Sequence, residues 1–85
     1  MVIIMKNEFY ILINTIEKIK DFSSKIINVV QDVDVIYGRY VINAKSIMGL
    51  FSIDLSKPIL IRIHSDSEVV CNEIKENVKD YIVEV

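Results

Sequence analysis

The spacing of apolar positions along this chain alternates between dense β-branched runs and helical repeats, and the elements it predicts fall in the order βαββαβα. Residues 9–13, Phe-Tyr-Ile-Leu-Ile, read as a buried strand, with pairing extending back toward Met5. Asn14, with Glu17 three positions on, has the form of a capping box, and Ile16, Ile19, Phe22, Ile26 and Val30 then keep a helical period, so the first helix is expected from Asn14 or Thr15 to about Val30. Residues 32–37 and 40–44 form a β-hairpin turning at Gly38. Ser46 stands before the apolar cluster Ile47, Met48, Leu50 and Phe51, which predicts a short capped helix over 47–53. Pro58 suits the position before a strand because it supplies no ladder donor, and 59–64 is the last strand. Ser65 with Glu68 makes a second capping box, opening a helix over about 66–81 with Val70, Cys71, Ile74, Val78 and Tyr81 as its apolar stripe. Residues 82–85 are left as a tail.

Strands alternating with one-striped helices pack most simply as an α+β fold, a four-stranded, mainly antiparallel sheet with its helices on one face. The other face would then meet water, with Asp32, Asp34, Arg62 and His64 standing outward. At 85 residues, 52% of them apolar, the chain reads as one domain over 1–85, near the size at which a single core is just sufficient. No linker, internal repeat or low-complexity stretch interrupts it.

Charge narrows the range of partners. The net charge is −2 with acids and bases interspersed, and the only arginines are Arg39 and Arg62, so the footprint of a nucleic-acid binder is missing. Lys6 and Glu8 break the apolar start at 1–5, and no stretch approaches the roughly 18 to 20 apolar residues of a membrane span. One cysteine, Cys71, permits no intrachain disulfide, which together points to a cytoplasmic protein with Cys71 in the core.

Candidate chemistry is sparse. Ser46 reads either as a plain helix cap or as a phosphate acceptor, because the free N–H groups and dipole of a helix start favour an anion there. Ile47, Met48 and Phe51, at i, i+1 and i+4, make one apolar face beside it. His64, the single histidine, has no second ligand for zinc and reads as a solvent-facing residue at a strand end. Asp32 and Asp34 share a strand face, yet nothing nearby in sequence is apolar or cationic enough to split their pKa values. Lys18, Lys20 and Lys25 suit a wet helix face better than an anion site. No metal site, cofactor or enzymatic constellation is expected.

The element order together with Asn43-Ala44-Lys45-Ser46-Ile47-Met48-Gly49 resembles HPr, the histidine-containing phosphocarrier of the bacterial sugar phosphotransferase system, whose members carry a closely similar Lys-Ser-Ile-Met-Gly run. The similarity runs without gaps over 41–58 and, with the hairpin and last strand, covers 33–64; outside it the pattern agrees but hardly the residues. The resemblance implies an open-faced β-sandwich. It implies that Ser46 is the serine phosphorylated by an ATP-dependent HPr kinase in low-GC Gram-positive bacteria, and that Lys45, Ile47, Met48 and Phe51 are a docking face for phosphotransferase proteins or a regulator.

The departure lies at the first helix. The family's acceptor histidine sits there in a Gly-Ile-His-Ala-Arg-Pro-like motif, whereas this chain reads Asn14-Thr15-Ile16-Glu17-Lys18-Ile19, with Thr15 or Ile16 at the histidine's place. Relay of a phosphoryl group needs a nitrogen nucleophile, and a threonine phosphoester is too stable to pass it on. The expectation is therefore a non-enzymatic regulatory or interaction module without histidine phosphotransfer. The alternatives are an active phosphocarrier using His64 or a group near Thr15, and a self-associating domain whose apolar start, 1–5, extends the sheet edge to make a homodimer.

Overall fold

The structure, a computed structural model, describes residues 6–85. The elements are β1 (Glu8–Ile11), α1 (Ile16–Ile26), β2 (Val33–Tyr37), β3 (Tyr40–Asn43), α2 (Ile47–Phe51), β4 (Ile59–Ile63), α3 (Glu68–Asn77), a 3-10 turn (Lys79–Tyr81) and β5 (Ile82–Val83). They form a small α+β fold around one antiparallel sheet of order β3-β2-β4-β1-β5. Residues 1–5, on which the expected lengthening of the first strand and the proposed dimer edge fall, lie outside the described residues.

Every second strand residue faces a single core. Phe9 and Ile11 of β1, Val33 and Val35 of β2, and Ile59, Ile61 and Ile63 of β4 are buried in one cluster with Ile19, Phe22 and Ile26 of α1, Leu50 of α2, and Cys71 and Ile74 of α3. The three helices therefore cover the same face of the sheet. Gly38, at φ +59°, makes the β2–β3 turn in a conformation that costs a side chain dearly, and Tyr37 and Tyr40 pair across it.

Five expectations are corrected. The sheet has five strands, because Ile82 and Val83 are not a tail: they pair with Ile11 and Tyr10 along the outer edge of β1. The first helix begins after Thr15, whose extended backbone (φ −133°, ψ 156°) lets its hydroxyl accept from the Lys18 N–H at 3.2 Å, while the Asn14 amide oxygen takes the Lys18 ammonium. That helix stops at Ile26, not Val30; the β-branched residues Ile26, Ile27, Val29 and Val30 crowd a helical backbone, and the Val29 N–H turns back to the Ile26 carbonyl. The last helix is capped by Ser67, which accepts from the Val70 N–H at 3.3 Å, while Ser65 instead accepts from the Ser67 N–H. It ends at Asn77, where Val78 leaves helical geometry to enter the core.

The carboxy-terminal strap is tied down by its aromatic ring. Tyr81 packs edge-on against Phe22, with ring centroids 6.4 Å apart, and its hydroxyl donates to the Asp21 carboxylate. Lys25 bonds the same carboxylate at 3.1 Å and lies over the Tyr81 ring. The Asp21 carboxyl is held below its ordinary range, chiefly by the tyrosine hydroxyl and then by Lys25.

Candidate functional site

The serine run forms the corner where β3 passes into α2. Asn43 makes the turn: its side-chain oxygen accepts from the Lys45 N–H at 2.9 Å and its carbonyl from the Ser46 N–H at 2.9 Å. Ser46, extended at φ −90°, ψ 103°, then caps α2, its hydroxyl oxygen accepting from the Gly49 N–H at 3.1 Å. Ala44 and Leu50, both fully buried, anchor the corner on either side of the exposed serine.

Gly49 is required by close approach. A Cβ at that position would stand 2.7 Å from Cγ2 of Ile42 on β3, well inside van der Waals contact. The helix thus sits tightly on the hairpin and turns its other side outward: Met48 is 78% exposed, Phe51 46% and Ile47 36%. No acidic residue stands in the first turn of α2, so nothing there opposes an anion on Ser46.

Lys45 differs from its neighbours. It is half-buried, and its ammonium donates to the Val29 carbonyl beyond the end of α1. This bond joins the serine corner to the carboxy end of α1. Thr15 and Ile16 lie at the amino end of the same helix, about 15 Å along its axis from its carboxy end, and no hydrogen bond joins them to Ser46 among the described residues. At that amino end Thr15 is exposed and occupied as a cap, and Ile16 is exposed.

His64 follows the last residue of β4. The register sets Ile11 opposite Ile59 and Glu8 opposite Arg62, so His64 stands at the end of the sheet away from the residues that lead from β1 into α1. Its ring meets the carboxylate of Asp34, 30 positions away in sequence. Asp32 contributes its carbonyl, which accepts the His64 N–H at 2.8 Å, and its side chain is exposed rather than paired with Asp34. Lys25 serves Asp21 and Tyr81, while Lys18 bonds Asn14. Cys71 is a free, buried thiol donating to the Ser65 carbonyl.

Spacing gave no sign of the open groove of about 620 Å³ between residues 29–31 and α3. Val29, Val30, Val70 and Ile74 give it an apolar floor beside Glu73 and Asn77, and none of the expected site residues lines it. Among the described residues no group of three or more His, Cys, Asp or Glu side chains is arranged to hold a metal ion, and no helix is long and apolar enough to cross a membrane. No family model matches this chain, and no curated protein matches it either.

Proposed function

We propose that this chain is an HPr-like interaction module that lacks histidine phosphotransfer and is switched by phosphorylation of Ser46. The observation that carries the reading is the serine corner: an exposed Ser46 hydroxyl at the cap of α2, flanked by outward-facing Ile47, Met48 and Phe51. A phosphate on that hydroxyl would add nearly two negative charges beside an apolar face, strengthening one partner's binding and weakening another's. The βαββαβα order and the antiparallel sheet support kinship with the open-faced sandwich of the HPr family, with β5 as an addition at its edge.

The partners of such a module are proteins of the phosphotransferase system or a regulator acting in the cytoplasm, with HPr kinase as the modifying enzyme. Thr15 and Ile16 offer no nitrogen nucleophile where the family carries its histidine, and His64 is engaged with Asp34, so carrier chemistry is not part of this role. The test is incubation with phosphoenolpyruvate and the first enzyme of the phosphotransferase chain. No acid-labile phosphate should appear on the protein; its appearance on His64, or on any residue, would overturn the reading.

A further inference from the structure

The helix-free face of the sheet carries an unbroken apolar row. Tyr10 on β1 stands opposite Val83 on β5 and Leu60 on β4; Leu60 stands opposite Ile36 on β2, and Ile36 opposite Val41 on β3. Five strands therefore each contribute one apolar side chain at the same level, with Leu60 on the central strand. Val41 is 62% exposed, and Tyr10, Ile36, Leu60 and Val83 remain partly open to solvent. A sheet face meant for water carries polar residues at such positions.

The next level of the same face is polar and already balanced. Glu8, Arg62, Asp34 and Asn43 stand opposite one another across four strands. Arg62 bonds Glu8 at 2.7 Å, and Asp34 meets the His64 ring. Glu8 and Arg62 cancel, and Asp34, the remaining acid of this level, is held by the His64 ring, so the face offers little charge with which to select a partner of opposite sign.

We infer that this face is the interface of a homodimer in which the apolar row of one copy packs on the row of the other. A neutral apolar surface is complementary to itself, and an isologous contact needs only one such surface. Strands about 4.8 Å apart make the five-stranded face roughly 24 Å wide and 15 Å tall, so two copies would cover on the order of 700 Å² in all, the size of a weak, concentration-dependent dimer. Ser46 and the outward side of α2 lie on the helix side and stay free in this arrangement, so the inference is independent of the proposed switch.

Sedimentation of the full chain from about 1 to 500 μM tests it across the affinity range of a modest interface. The protein should pass from monomer to dimer, and Leu60→Lys and Val41→Lys should each weaken the dimer at least about tenfold, whereas Met48→Lys and deletion of residues 1–5 should leave it unchanged. Val41 is exposed enough for its variant to fold even where that of Leu60 does not. A monomer at every concentration would overturn the inference and leave the face to a partner of different sequence. So would a dimer that survives Val41→Lys, or one that deletion of 1–5 abolishes, the mark of pairing through the strand edge.

Discussion

Tyr81 gives its hydroxyl hydrogen to the carboxylate of Asp21 across 60 positions of sequence, and through that bond the end of the chain is held against the first helix. The same turn sends Ile82 and Val83 along β1, and the Leu12 N–H reaches the Tyr81 carbonyl at 2.9 Å. The aromatic side chain, these backbone bonds and the packing of Ile82 on the core together hold a strand along the outer edge of β1.

Ionising Tyr81 would break this clasp. Its phenol is pushed up to about 12 from an ordinary value of 10.0, first by the bond to Asp21 and then by burial. A raised folded-state value means that the contribution is complete below pH 10 and is lost as pH rises through about 12. Asp21 works in the opposite direction: held low, it contributes above the ordinary carboxylate range and loses that contribution as pH falls through its depressed value. Urea unfolding at a series of alkaline pH values should show the decline in the wild type, and Tyr81→Phe should remove that tyrosine-linked part of it.

Ser46 must be varied with its capping role in mind. Ser46→Ala should cost about 1 kcal/mol by leaving the Gly49 N–H without a partner, whereas Ser46→Asp, itself a good cap, should stay within about 0.5 kcal/mol of the wild type. Chemical denaturation distinguishes the two. A binding defect in Ser46→Ala alone is therefore no proof of a lost phosphate.

Gly49 tolerates nothing larger. Its Cβ would meet Ile42 at 2.7 Å, so Gly49→Ala should displace α2 from the hairpin and destabilise the fold by about 1 to 3 kcal/mol, despite alanine's better helix propensity. Thermal unfolding reads the sign directly; a stabilised variant would contradict the close approach.

Lys45→Met should keep much of the packing of the side chain while leaving the Val29 carbonyl without its donor. A loss of about 1 to 2 kcal/mol is expected, together with faster hydrogen exchange around residues 27–31. Exchange followed by NMR would show whether the serine corner steadies the end of α1.

The element order was legible because apolar period changes mark most of its boundaries. Val33, Val35, Ile59, Ile61 and Ile63 alternate inward, and Ile19, Phe22 and Ile26 keep a helical stripe. Ser46 was legible as a cap because a small hydroxyl residue stands directly before an apolar cluster. What was missed depends on contacts distant in sequence. Two residues, Ile82 and Val83, carry no strand pattern of their own and are placed by the Tyr81 clasp. Asn14 and Thr15 are both cap formers, and local pattern cannot choose between them. The Lys45–Val29 and His64–Asp34 pairs exist only once separate elements have met. Spacing grouped Ile47, Met48 and Phe51 on one face, but their exposure follows from Gly49 and Leu50 taking the side packed on the hairpin and core.

The proposed switch is tested most directly by intact-mass spectrometry of the folded chain after incubation with HPr kinase and ATP. The mass of one phosphate should be gained, should map to Ser46, and should be absent from Ser46→Ala. An unchanged mass in the wild type, or a phosphate on another residue, would contradict the account.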